Sequence, residues 1–238
     1  MNTPTALIVG GTSGIGLATA RRLRARGADV HIVGRGKERI ELAASDPDLI
    51  AHAADGGDAA AIGDVATSIG CIDWLVLTLS GSDGAGAIAD LEVAALRAAF
   101  DAKLFAHITT LQAVLPHLAP DGSITLLGAA SARAAIPGTA GLAAINGAVE
   151  ALVKPLAVEL APIRVNAISP GVVDTPWWSG FPEDARRAYF DQATSSLPSR
   201  HLATADDVAE VVAIVATNPN IAGTVVEADG GARLVTAG

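Results

Sequence analysis

Three glycines and two hydroxyl residues stand between an apolar run and a helical pattern. Gly10-Gly11-Thr12-Ser13-Gly14-Ile15-Gly16 follows TALIVG (5–10) and opens a segment, 15–26, whose polar side carries Arg21, Arg22, Arg24 and Arg26. Glycines there permit a tight turn and let backbone N–H groups approach an anion, and the first turn of the helix adds the positive end of its dipole. Thr12 and Ser13 can donate hydroxyl hydrogen bonds to the same anion. Strand, glycine turn and helix in that order form the context in which such a motif reads as a pyrophosphate site rather than a plain turn.

The same order repeats along the chain. Apolar runs at 29–34 (DVHIVG), 49–54, 73–79 (DWLVLTL), 122–127 (GSITLL), 164–168 (RVNAI) and 224–227 (TVVE) alternate with helical patterns at 37–44, 59–69, 92–118, 141–160 and 205–216. Strands separated by helices need crossover connections, which make a parallel sheet covered on both faces. The pattern predicts one α/β domain over 1–238, a doubly wound Rossmann fold of about seven mostly parallel strands. The 92–118 pattern predicts a break near Asp101. The stretch 174–198 leaves the alternation and holds Pro176, Trp177, Trp178, Gly180, Phe181 and Pro182; a long insertion of this kind reads as a substrate lid. Trp177, Trp178 and Phe181 fit two readings, the wall of an apolar pocket or an anchor at a subunit interface. Thr204 reads as a helix cap, and Asp206-Asp207 and Glu183-Asp184 as helix starts.

Composition removes several function classes. Half of the 238 residues are hydrophobic and 17% are charged, which excludes a disordered chain. A net charge of −9 argues against a broad nucleic-acid surface. The single Cys71 excludes an internal disulfide framework and Cys-based zinc motifs, and reads as a small buried hydrophobe. No apolar run reaches the ~18–20 residues of a membrane span, and MNTPTALIVGG lacks the basic-then-apolar start of a secretory signal. The expectation is a soluble, cytoplasmic chain with no membrane partner. His31 lies mid-strand and reads as a core or cofactor-edge residue. His52, His117 and His201 have no partners at metal-ligand spacing, so no metal site is expected.

The second strand carries the cofactor signal. In dinucleotide folds an acidic residue about 20 positions beyond the glycines holds the adenosine ribose 2′-OH. Here the strand ends in Gly34-Arg35, with Lys37 and Arg39 close behind. An arginine pairs bidentately with a 2′-phosphate that a carboxylate would repel. The expected cofactor is NADP(H).

With Gly10-x-x-x-Gly14-x-Gly16 in place, the chain resembles the short-chain dehydrogenase/reductase superfamily over essentially its whole length. Arg164-Val165-Asn166-Ala167-Ile168-Ser169-Pro170-Gly171 is similar to the family's R-V-N-x-I/V-x-P-G stretch, and Ala222-Gly223 through Asp229-Gly230-Gly231 to its last strand and D-G-G end. The resemblance implies that Pro170, Gly171, Val173 and Thr175 pass the nicotinamide or pyrophosphate, that Asp55 lies near the adenine, and that Ser80 and Gly81 occupy the family's N-N-A-G turn, which here reads Thr78-Leu79-Ser80-Gly81. It also implies a homo-oligomer, dimer or tetramer, built on the helices at 104–118 and 141–160.

The same resemblance exposes a departure. The family's reductases use a tyrosine acid/base, a lysine four residues later, a serine, and an asparagine in the preceding helix. Those positions hold Leu142, Asn146, Ala129 (Ser131 being the nearest hydroxyl) and Lys103. Lys103 is expected to take part of the electrostatic role with Ser131 assisting, Asn146 still bonding a ribose hydroxyl, and His107 one turn beyond Lys103 on the same face. Lys103 has two other readings, pairing with Asp101 or a place at a subunit contact. Three functions follow: an NADP(H)-dependent oxidoreductase on a small carbonyl or alcohol, its proton coming from Lys103, from Ser131 through water or from solvent; an inactive NADP(H)-binding sensor or partner subunit; and a non-redox lyase or isomerase.

Overall fold

The computed structural model describes residues 3–81 and 83–235. Seven parallel strands form one sheet in the order β3-β2-β1-β4-β5-β6-β9. They are β1 (Thr5–Val9), β2 (Asp29–Gly34), β3 (Leu49–Ala53), β4 (Ile72–Leu77), β5 (Leu118–Leu127), β6 (Arg164–Pro170) and β9 (Val225–Ala228). The strands are buried on both sides because residues of alternating parity feed two cores. Ala6 and Ile8 face α1 (Gly14–Ala25) and α9 (Ala205–Thr217), packing with Leu23 and Val212. Leu7 and Val9 face α3 (Ala59–Ile69) and α5 (Ala106–Val114), packing with Ile62 and Leu111. The expected doubly wound fold is the one observed, and its strand order reverses between β1 and β4, where such folds open a crevice at the carboxyl ends.

Two helical segments depart from simple continuity. Between α4 (Val93–Phe100) and α5 the chain widens into a π turn, Asp101–Phe105, at the predicted break. Such bulges re-aim side chains and occur at functional sites; here the turn carries Lys103. The pattern 141–160 is two helices, α6 (Ala140–Ala151) and α7 (Val153–Glu159), parted at Leu152. Pro155 has no N–H to donate to the carbonyl of Ala151, which interrupts the ladder. Together 140–159 has a mean hydropathy of 1.3 over an 18-residue window, long and apolar enough by composition to cross a membrane; Val149 and Val153 are buried against the sheet, and Ile145 is buried near Gly84.

The stretch 174–198 holds more order than its sequence suggested. β7 (Val173–Asp174) pairs with β8 (Ala203–Thr204), and α8 (Glu183–Ser196) fills the middle, starting at the two acids read as a helix start. α2 (Lys37–Ala44) covers the outer edge. Thr204 caps α9 as expected, in a reciprocal box with Asp207. Backbone donation from Thr204 and the His201 ring, 2.9 Å away, hold the Asp207 carboxyl down at about 2. Cys71 is exposed rather than buried, because it precedes β4 at the amino end of the sheet, outside both cores. His52 Nε2 lies 2.9 Å from His31 Nδ1 in a ring-to-ring hydrogen bond, and the rings stack at 5.2 Å across β2 and β3. Burial lowers the pKa of both rings.

Candidate active site

The crevice begins at the glycine turn. Gly10 has φ +90° and Gly14 φ +52°, the left-handed region where a side chain is strained. A Cβ on Gly16 would stand 2.3 Å from the Gly10 carbonyl oxygen, so the turn closes only with glycine there. A Cβ on Gly11 would come within 2.8 Å of Ile32, and one on Gly34 would strike Thr12. Ser13 caps α1 in an extended conformation, its hydroxyl making no capping bond to the helix, and Ile15 turns inward against the α1 core. The result is a bare backbone cradle at a helix N-terminus, with hydroxyls beside it. That donor set fits a pyrophosphate.

The remaining expected cofactor residues surround this cradle. Thr175 Cβ lies 3.5 Å from where a Gly14 Cβ would be, placing its hydroxyl-bearing side chain against the turn. Pro170 ends β6, and Gly171 rests against Asp229, whose carbonyl oxygen a Cβ would approach to 2.9 Å. Val173 begins β7, and its carbonyl accepts from Trp178 Nε1 at 3.0 Å. Ser80 and Gly81 follow β4 on the other wall, where Thr78 donates from N (2.9 Å) and Oγ1 (3.2 Å) to the Val9 carbonyl and locks the two strand ends together. At the far end Arg35 and Asp55 meet, with 3.5 Å between guanidinium and carboxylate, both half or more exposed. The sequence placed each near the adenosine end separately; the structure makes them one pair.

The candidate catalytic residues also converge. Lys103 Nζ donates to Asn146 Oδ1 at 2.6 Å and, more weakly, to the Gly128 carbonyl at 3.4 Å. Asn146 Nδ2 donates to the Leu142 carbonyl at 2.9 Å and to Ser131 Oγ at 3.0 Å. A carbonyl only accepts, so the amide orientation is fixed: oxygen toward the lysine, nitrogen toward the serine. Ser131 accepts in that bond and keeps its own O–H proton to give. The three side chains therefore form a one-way chain of donors, ammonium to amide to hydroxyl. Lys103 is buried and donates inward, and it makes no ion pair with Asp101. Burial, opposed by the Glu150 charge, lowers it to about 8.

His107 does not act on this chain as an acid or base. Its Nδ1 donates to the Lys103 carbonyl at 2.7 Å, and burial, with the Lys103 charge adding to it, holds the ring down to about 4. The ring is a neutral strut under the π turn.

Two groups escaped the sequence reading. Arg133 donates to Glu150 (2.9 Å) and Glu227 (2.8 Å), and Arg233 pairs with Glu227 and with Asp229 (2.8 Å). Only Glu150, one turn beyond Asn146 on α6, had a readable signal in its spacing. The other is the joining of Tyr189 and Phe190 to the Trp177, Trp178 and Phe181 group that the sequence already marks. Five of the chain's eight aromatic residues lie there. Trp178 touches Trp177, Phe181, Tyr189 and Phe190 at centroid distances of 4.7–5.4 Å. Trp177 Nε1 reaches across to the Gly81 carbonyl at 3.3 Å, so this stretch bridges to the loop after β4.

Comparison with known proteins agrees with the fold. The family model described as enoyl-(acyl carrier protein) reductase matches residues 9–233. The chain is 31% identical over 240 residues to cis-4-hydroxycyclohexanecarboxylate dehydrogenase of Sinomonas cyclohexanicum, covering 95% of each. It superposes on a small-chain dehydrogenase solved in complex with NADPH with a TM-score of 0.87 at 34% identity, covering 98% of this chain and 100% of that one. It also superposes on the MalC reductase/Diels-Alderase of Malbranchea aurantiaca with a TM-score of 0.88 at 26% identity, covering 99% and 97%.

Proposed function

The chain belongs to the short-chain dehydrogenase/reductase superfamily, and from that premise we propose that it is an NADP(H)-dependent oxidoreductase acting on a small carbonyl or alcohol. Lys103, Asn146 and Ser131 take over the work of the family's acid/base residues. The observation that carries the reading is the donor chain that starts on a buried ammonium and ends on a serine hydroxyl with a proton to give.

Gly10 through Gly16 and Thr175 would hold the pyrophosphate of the cofactor, and Arg35, steadied by Asp55, its 2′-phosphate. When bound, NADPH supplies the hydride to a substrate carbon. The chain's own contribution lies at the substrate oxygen. Leu142 has no proton there. The Ser131 O–H donates to the oxygen as negative charge develops, and the Lys103 charge polarises that donor through the Asn146 amide. Ser131 passes its proton to the product oxygen, and because an amide does not pass a proton on, solvent water re-protonates the serine. Asn146, with both of its ends engaged within the protein, serves this chain rather than a ribose hydroxyl.

The 174–198 stretch acts as the lid, its aromatic cluster forming an apolar wall that excludes water. Phe105 and Val158, exposed on the helices that the resemblance assigns to subunit contacts, support a homo-oligomer. The protein is proposed to work in the cytoplasm.

A second reading has its own support. Leu142 removes the group most needed for carbonyl reduction, and MalC, on the same fold, is named a Diels-Alderase as well as a reductase. A sensor subunit or a non-redox enzyme would retain the cradle and the lid without the tyrosine. Titration of cofactor-stripped protein with NADPH and NADH, followed by turnover over a panel of ketones and aldehydes, separates these. NADPH preference with turnover supports the reductase; tight binding without turnover supports the sensor. Turnover of a substrate with no cofactor added supports the lyase or isomerase, and binding of neither nucleotide removes all but that last.

A further inference from the structure

We propose that Glu150 is the counter-charge of Lys103 and sets the pH range over which the Lys103–Asn146–Ser131 chain stays charged. The proposal deepens the oxidoreductase reading and rests on it for its catalytic meaning.

The geometry begins on α6. Asn146 and Glu150 are four residues apart, so both side chains lie on the same face of the helix. The Glu150 side chain is only 8% exposed. Its Oε2 accepts from Arg133 Nε at 2.9 Å, while Oε1 is buried with no hydrogen-bond partner among the described residues. That free oxygen packs against the end of β5: a Cβ on Gly128 would stand 3.4 Å from both Glu150 Cγ and Oε1. The carbonyl of the same Gly128 accepts from Lys103 Nζ. One small residue therefore separates the carboxylate from the ammonium.

The surroundings leave no competing counter-ion among the described residues. From its own π turn and α5 the lysine meets Asp101, which is exposed, and the neutral ring of His107. From the residue after β5 it meets only a carbonyl, and from α6 an amide, with Glu150 on the far side of Gly128. A buried ammonium without a counter-charge loses its proton. Arg133 stands behind Glu150, bridging it to Glu227, and fixes where the carboxylate sits. Glu150 touches neither substrate nor cofactor in this reading; it is a positioning residue acting through Lys103.

The chain has three lysines, Lys37, Lys103 and Lys154. In the full-length protein labelled with ¹³C at lysine Cε, each gives one resonance, and Lys103→Met assigns the buried one. The expected Lys103 midpoint is about 8. Glu150→Gln keeps the shape and an acceptor for Arg133 but removes the charge, and should lower that midpoint by about one unit, tenfold in proton affinity. Glu150→Asp withdraws the charge by one methylene and should give a smaller shift of the same sign. The alkaline limb of turnover should move with the resonance. A midpoint unchanged in both variants overturns the proposal, whatever Lys103→Met does to turnover. A shifted midpoint combined with full turnover in Lys103→Met upholds the coupling and overturns the catalytic reading instead.

Discussion

Lys103 and Asn146 face one another with 2.6 Å between amine and amide oxygen, the amine on the π turn and the amide on α6. The family pattern gives the first position an asparagine and the second a lysine. On that correspondence, which the proposed function rests on, the two groups have changed places. The exchange moves the positive charge from the α6 helix, beside the missing tyrosine, to the floor beneath it.

Lys103→Met removes that charge. Turnover should fall at least tenfold, and the wild-type rate should decline above about pH 8 as the amine loses its proton. The variant should still fold. A lysine lowered from 10.5 to about 8 destabilises the fold by ~3 kcal/mol at neutral pH. Relief of that cost offsets the ~1–3 kcal/mol lost where Asn146 Oδ1 and the Gly128 carbonyl lose their donor. A thermal melt within a few degrees of wild type, with full activity retained, would end the case for Lys103.

Arg35→Asp tests the cofactor assignment. It places a second carboxylate beside Asp55, 3.5 Å from the present guanidinium nitrogen. A charged hydrogen bond of ~1.5–3 kcal/mol corresponds to about one to two decades of affinity. Calorimetry should show NADPH binding weakened by that factor and NADH binding little changed. An unaltered NADPH preference would place the 2′-phosphate elsewhere.

The sequence carried the frame and lost the contacts, for physical reasons. Strands buried on both faces are continuous apolar runs, and a glycine turn is a backbone property, so both read directly. The π turn was foreseen only as a break, because Asp101–Phe105 differs from α-helix by a single hydrogen-bond step. α8 was read as an insertion with an acidic start, since its apolar residues meet a local aromatic cluster rather than the sheet. His31 and His52 lie 21 residues apart and meet only through strand pairing. Cys71 was misplaced because residue type says nothing about which end of a strand it precedes. Lys103, Asn146 and Ser131 are each legible from the family pattern, but the direction of their hydrogen bonds is set only where the π turn meets α6.

Trp177→Phe keeps an aromatic ring against Trp178 and Phe181 but removes the indole N–H that reaches Gly81. One exposed hydrogen bond contributes ~1 kcal/mol. If it holds the lid closed over substrate, KM should rise about fivefold, with NADPH affinity unchanged. An unchanged KM would mean that the contact plays no part in closure.

His107 makes the fold sensitive to acid. Its ring titrates near 4 folded against 6.5 when exposed, so the native state prefers it neutral. Stability from this site is complete above about pH 6.5 and is lost as pH falls toward about 4. Between pH 7 and pH 5 the loss should be ~2 kcal/mol. His107→Asn retains a donor to the Lys103 carbonyl without the titration. Urea melts at the two pH values should show a smaller acid loss in the variant; an equal loss would assign it to other groups, the His31–His52 pair first.

Leu142→Tyr restores a hydroxyl where the family keeps its acid. Leu142 precedes Asn146 by one helical turn, and the Asn146 amide bonds its carbonyl rather than its side chain, so the exchange leaves the donor chain intact. The new phenol would stand above a site floor that already holds the Lys103 charge, and a nearby cation favours the phenolate. General acid catalysis contributes ~10²–10⁴ in rate when the donor is well placed. If the chain reduces carbonyls with a serine donor alone, the variant should gain at least tenfold in kcat on the same substrate, with KM for NADPH unchanged. Its pH profile should acquire a limb that Lys103→Met displaces upward. A variant that folds and binds NADPH but gains nothing would mean that the substrate oxygen does not approach position 142. That outcome would favour the non-redox reading of the same pocket.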